Sequence, residues 1–262
     1  MRISVLASGS GGNATVVEAG GTCVLVDCGI SYRQLVTRMK PLGLEPDRIG
    51  AVLLTHEHDD HVKGLEVFLR RHRVPVLATP GTLEAMQTAP SGAEPLASGR
   101  QVRVGAIAAL PVQTSHDARE PVGFVLECKG RRLGLVTDTG VFTELLTERL
   151  SGCHVLLIEC NHDRDLLRVG PYPWPLKQRI ASRTGHLSNE QACAAIERLA
   201  HSRLETVVGM HLSQTNNRPE MVERELAAVL VGSGVRLTVA SQHRALVVDA
   251  GGPTSRTDAG SD

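Results

Sequence analysis

With 262 residues, 42% of them hydrophobic, the chain is long enough to bury a sizeable core as one α/β domain. Its 28 basic and 28 acidic residues cancel, which excludes a globally basic nucleic-acid coat and leaves room for a locally basic groove. No apolar run reaches the roughly 18 residues of a membrane span, and the six scattered cysteines contain no C-x-x-C pair that would suggest a disulfide framework.

Met1 leads directly into the first predicted strand, so no signal peptide is expected before the fold. Residues 2–7, 14–19 and 22–27 read as three strands joined by Gly-rich connections. The first connection, Ser8-Gly9-Ser10-Gly11-Gly12-Asn13, suits either a backbone phosphate cradle or a tight hairpin; it lacks the Lys and following helix of a P-loop. Asp27 closes the third strand. It can orient a ligand histidine from behind, or cap a helix expected over 31–42.

The apolar run Ala51-Val52-Leu53-Leu54 predicts a buried strand, and Val62, Leu65, Phe68 and Leu69 recur at helical spacing just past His61. Between them lies Thr55-His56-Glu57-His58-Asp59-Asp60-His61. On extended backbone, residues two apart share a face, so His56 and His58 can hold one metal, while Asp60 and His61, beyond the bend, face a second. An acid here could also cap the helix, but capping leaves three clustered imidazoles unexplained.

Farther along, a strand at 74–78 and a helix opening at Thr79-Pro80-Gly81 are expected. Residues 101–136 read as strands. Helices near 141–150, 188–200 and 217–231 alternate with strands at 154–159 and 206–210, before two last strands at 235–240 and 245–248. Two facing sheets with outer helices fit this order. Residues 163–185, with Pro171, Pro173 and Pro175 around Tyr172 and Trp174, read as a long loop or lid with a short helical turn. Arg164, Arg168, Lys177, Arg179 and Arg183 there suit either nucleic-acid contact or a solvated loop. Residues 1–249 are expected to form the domain, and 250–262 have the composition of a disordered tail. Cys23, Cys28, Cys128, Cys153, Cys160 and Cys193 read as reduced packing residues, which favours a cytoplasmic setting.

A two-metal centre needs further ligands at strand ends, and three polar residues stand where apolar strands give out. These are His116, Asp138 and His211. The resulting inventory is His56, His58 and His116 for one ion, Asp60, His61 and His211 for the other, and Asp138 between them. Imidazole with carboxylate suits two divalent ions, zinc, manganese or iron. His72, His154, His201 and His243 read as structural or solvated.

His56-x-His58-x-Asp60-His61, with the later His, Asp and His, resembles the metallo-β-lactamase fold hydrolases over nearly the whole chain to about 249, and Asp27 matches their first acidic motif. The resemblance implies an αββα four-layer sandwich, two mixed β-sheets flanked by helices, with the site along one edge. Ser8–Asn13, Glu159-Cys160-Asn161-His162-Asp163, Gly185-His186-Leu187-Ser188-Asn189-Glu190-Gln191 and His211-Leu212-Ser213 are similar to the YycJ/WalJ-like subgroup of bacterial cytosolic nucleases. That subgroup implies 5′-to-3′ DNA exonuclease activity. Cys160 departs from the small residue expected at its position.

His186-Leu187-Ser188-Asn189 is also similar to a segment of tRNA 3′-processing endonucleases. That likeness implies a catalytic His186, although Ser188 with Gln191 also reads as a plain capping box. Asp60 and His186 are thus the expected catalytic pair, acting with a metal-bridging hydroxide. Asn161, His162, Ser188 and Asn189 are expected around them, in support or in contact with nucleic acid. A thioester or lactone hydrolase of the glyoxalase II type, an RNA-processing nuclease of the same fold, or a binding protein that has lost catalysis are the alternatives.

Overall fold

The structure, a computed structural model, describes residues 1–86, 88, 90 and 92–250, together with the backbone of 255 and 256. Strands β1 (Arg2–Ala7), β2 (Ala14–Ala19), β3 (Thr22–Val26), β4 (Ala51–Leu53), β5 (Val76–Ala78) and β6 (Ala93–Pro95) belong to the first sheet, which β14 (Leu246–Asp249) and β15 (Ser255–Arg256) complete. Its order is β15-β14-β1-β2-β3-β4-β5-β6. The second sheet runs β13-β12-β11-β10-β9-β8-β7. Its members are β7 (Val102–Val104), β8 (Ile107–Gln113), β9 (Val122–Cys128), β10 (Arg131–Val136), β11 (Val155–Glu159), β12 (Thr206–Met210) and β13 (Arg236–Val239). In each sheet a parallel run, β3 to β6 or β10 to β13, adjoins antiparallel neighbours.

The period-2 alternation explains the layering. Val24, Val26, Ala51 and Leu53 meet Phe124, Leu135, Leu157 and Val208 between the sheets. The intervening Cys23, Leu25, Val52 and Leu54 point outward, onto Leu35 and Met39 of α1 (Tyr32–Met39) and Phe68 of α3 (Leu65–Arg71). On the far side, Leu156 and Ile158 pack with α5 (Glu144–Leu150), α8 (Asn189–Leu199) and α9 (Pro219–Val229) through Leu146, Ile196 and Leu226. The four-layer αββα sandwich is the architecture expected from the sequence.

Three local expectations are corrected. The helix placed beyond His61 begins earlier: α2 (Asp59–Val62) is a single turn in which His61 and Val62 amides donate to the His58 carbonyl, so Asp60 and His61 are themselves helical. The segment 163–185 is not a loop. It folds as α6 (Arg164–Val169), capped by the Asp163 carboxylate, and α7 (Trp174–Ile180), whose Pro175 sits in the first turn where its missing N–H costs nothing. The short edge strand β6 went unforeseen, because Ala93-Glu94-Pro95 carries no apolar alternation. Helix α4 (Pro80–Ala85) starts at the expected Pro80. The tail expected from 250 onward lies, apart from Ala250 and the backbone of β15, outside the described residues.

Candidate metal centre

The site forms where the parallel strands end. Asp27, Asp138 and His211 follow β3, β10 and β12, and each holds a positive φ, 58°, 58° and 54°. A left-handed conformation in a non-glycine residue costs on the order of 1–3 kcal/mol and persists only when its surroundings impose it. Here it lets each side chain leave its strand for the crevice between the sheets. The turn after β4 is held equally tightly: the Asn13 amide donates to the Asp60 carbonyl at 2.8 Å, and a Cβ on Gly29 would overlap that carbonyl.

Four histidines have Nδ1 held from behind. His61 Nδ1 donates to Asp27 Oδ2 at 2.8 Å, His116 Nδ1 to the Gly185 carbonyl at 3.0 Å, His211 Nδ1 to Glu159 Oε1 at 3.1 Å and His56 Nδ1 to Thr55 Oγ1 at 3.0 Å. Thr55 in turn donates to Asp27 Oδ2 at 2.9 Å. Such outer bonds fix the tautomer that turns Nε2 inward.

The ligand-type atoms of His56, His58 and His116 lie within 4.8 Å of one another, and so do those of Asp60, His61 and His211. Asp138 stands between the groups, with Oδ2 3.3 Å from His61 Nε2 and Oδ1 3.8 Å from His116 Nε2.

This donor set fits divalent cations. His56 Nε2 is buried without a hydrogen-bond partner, an expensive state unless something positive meets it. Burial pushes His56 and His116 below the usual histidine range, leaving them neutral, the form that binds metal. Burial also works against charge on His61 and His211. The carboxylates prevail there: Asp27 and Asp138 raise His61, while Asp138, Asp60 and Glu159 raise His211 to about 10. The acids thus draw protons into the space that suits a cation.

Glu159, whose role the sequence reading left unassigned, proves central. Fully buried at the end of β11, it accepts from His186 Nδ1 at 2.7 Å, from His211 Nδ1 and from the amides of Thr139 and Leu187. Its available signal was an acid closing the apolar run Val155–Ile158, the same signature as Asp27 and Asp138.

His186 sits with Nδ1 3.6 Å from Asp138 Oδ1 and its side chain 18% exposed. Burial opposes its charge, but Glu159 and Asp138 raise its pKa.

The remaining expected residues lie behind or beside these groups. Asn161 supports His211 from behind, donating to its carbonyl at 3.0 Å. Ser188 caps α8 in a complete capping box with Gln191, and Asn189 exchanges amide hydrogen bonds with Asn217, so both side chains are committed to structure. His162 is buried, with Nδ1 unpartnered, and burial lowers its pKa to about 4. A cavity of about 1160 Å³ opens beside Asp60, bordered by the Gly-rich loop at Ser10 and Gly11 and by Lys63, Arg70 and Arg73.

A model of the β-lactamase superfamily domain matches residues 22–212. The chain is 35% identical over 239 residues to the exodeoxyribonuclease YycJ of Bacillus anthracis, covering 89% of this chain and 90% of that protein. It is 33% identical over 249 residues to the exodeoxyribonuclease WalJ of Streptococcus pneumoniae, covering 91% and 93%. Among solved structures, the metallo-β-lactamase fold protein YhfI of Bacillus subtilis superposes with a TM-score of 0.74 at 14% identity, covering 94% of this chain and 98% of that one. Zn²⁺-bound PqqB of Methylobacterium extorquens superposes with a TM-score of 0.71 at 22% identity, covering 95% and 100%. At these identities the structures speak for the fold alone. With the family match and both relatives aligned over most of their length, the chain belongs to the β-lactamase superfamily and is a metal-dependent hydrolase.

Proposed function

We propose that the chain is a binuclear phosphodiesterase acting as a 5′-to-3′ DNA exonuclease, with His56, His58 and His116 holding one ion, Asp60, His61 and His211 the other, and Asp138 shared. The identity to YycJ and WalJ across about nine-tenths of the chain carries the substrate assignment. Bound there, zinc or manganese supplies a water-derived nucleophile near neutral pH and a clamp on the phosphate oxygens.

The protein's own residues then move the protons. Asp60 Oδ2, ionised beside His61 and His211, orients the attacking water-derived nucleophile by accepting its hydrogen bond. His186, whose protonated form Glu159 favours, gives a proton to the leaving oxygen from Nε2, since Nδ1 is engaged. The six cysteines are all free, five of them buried, which supports a reducing cytoplasmic setting. Among the described residues no helix is long and apolar enough to cross a membrane.

The test follows end-labelled duplex DNA, with and without a 5′-phosphate, in Mn²⁺, Zn²⁺ or EDTA. Stepwise release of nucleotides from the 5′ end in metal, and none in EDTA, is expected. Cleavage of RNA alone would reassign the substrate; hydrolysis of S-lactoylglutathione with no nucleic acid touched would move the chain to thioester chemistry.

His186→Ala isolates the acid. Turnover is expected to fall about 10²–10⁴-fold, with metal content by atomic emission unchanged. Loss of one ion with the substitution would instead make His186 a ligand.

A further inference from the structure

Between α6 and α7 lies a second, open cavity of about 390 Å³, bordered by His162, Arg164, Leu167, Arg168, Trp174 and Lys177. Trp174, the chain's single tryptophan, is 66% exposed at its rim, and Val169 on the same helical pair is equally exposed. An indole left in water beside cations presents a free π face.

The cations are available too. Arg164 pairs with Glu190 and Arg168 with Asp165, all four side chains well exposed, and such surface pairs contribute little and exchange readily for another anion. Lys177 Nζ donates to the Arg168 carbonyl at 2.7 Å, gathering the positive charge at one wall. The unpartnered, buried Nδ1 of His162 adds a polar atom that no protein group satisfies.

The cavity wall at His162 is paired to the segment that carries the reacting end. His162 bridges Ser188, and the Asn161 amide donates to the Leu187 carbonyl, so the stretch bearing His186 runs directly alongside. Helix α7 is further tied to the ligand loop by Arg179, whose Nε donates to Asp117 Oδ2 beside His116.

We infer that this cavity is a nucleotide subsite: it holds one nucleotide of the substrate strand next to the scissile phosphate, the base stacked on Trp174 and the backbone phosphate against Arg164, Arg168 and Lys177. The inference rests on the nuclease reading and adds to it a contact that accepts any base.

Trp174 is its own reporter. Titrating the metal-loaded protein with a short phosphorothioate oligonucleotide, which resists hydrolysis, is expected to quench tryptophan emission saturably, and an abasic oligonucleotide of equal length to quench far less. In kinetics, Trp174→Ala is expected to lower the preference for DNA over bis-p-nitrophenyl phosphate, as a ratio of kcat/KM values, about 10-fold, within the range for loss of one base–aromatic stack. Trp174→Phe is expected to restore most of it. Lys177→Ala is expected to reduce the salt dependence of oligonucleotide binding by a slope of about 0.7.

DNA cleaved by the parent, with no quench and an unchanged ratio in Trp174→Ala, overturns the subsite and leaves the nuclease reading standing. A parent that hydrolyses bis-p-nitrophenyl phosphate but no nucleic acid overturns both. A parent dimer converted to monomer by Trp174→Ala at unchanged DNA preference would give this face to a second copy and also overturn the subsite.

Discussion

Asp60→Ala is expected to lower turnover on DNA and on bis-p-nitrophenyl phosphate by about 10³-fold or more, with the fold intact. Its Oδ2 lies 3.4 Å from His211 Nε2 and 3.5 Å from His61 Nε2, and Asn13 Nδ2 approaches at 3.3 Å. Burial works to raise its pKa, but hydrogen bonds and charge from His211 and His61 hold it well below the usual carboxylate range, so it is ionised at any working pH.

Truncation removes that charge without cutting the turn. The hydrogen bond tying the turn to the Gly-rich loop uses the Asp60 carbonyl, which alanine retains. The side chain is 24% exposed, so no large cavity is left. Circular dichroism, a thermal melt and metal analysis beside the rate measurement separate chemistry from folding. Parent-level activity in a folded Asp60→Ala protein would contradict the proposed chemistry.

The second large effect is expected at Glu159. Its two oxygens serve two imidazoles and two backbone amides in a fully buried place, so Glu159→Ala strands several donors at once. Breaking a buried charged network of this kind costs about 3–5 kcal/mol. Glu159→Gln preserves the volume while removing the charge that orients His211 and favours protonation of His186. Metal affinity is expected to fall about 10–100-fold, and turnover with it.

The acid limb of stability offers a readout that packing alone would not move. Burial raises the Glu159 pKa, but His186 and His211 bring it down from 4.5 to about 2. A depressed folded-state pKa contributes stability above the unfolded value and loses it as pH falls through the folded one. In EDTA the parent should therefore lose on the order of 3 kcal/mol between about pH 4.5 and 2, and Glu159→Gln should show a flatter profile in chemical denaturation. Equal slopes in the two proteins would show that Glu159 carries no such charge.

Much of this was legible one stretch at a time. The unbroken apolar runs Val24–Val26 and Ala51–Leu54 mark strands buried on both faces, and the helical spacing after His61 marks the change of element. The ligand-type residues of the turn sit within a few positions, so backbone geometry alone brings them near each other.

Other features depend on distant partners. Asp163 and Pro175 do carry helix-start signals, but the cluster of three prolines around Tyr172 and Trp174 reads locally as a loop. Glu159 looks like any acid at a strand end; only the parallel pairing of β10, β11 and β12 sets it beside Asp138 and His211. Ser188 and Asn189 share a motif with His186, yet their side chains serve a cap and an amide pair.

The pattern of residues thus carried periodicity, turn chemistry and ligand type, all of which act over a few positions. Which buried charges meet, and which exposed side chains share a cavity, depended on the register of two sheets. Those contacts join residues far apart in the chain, and no local pattern encodes them.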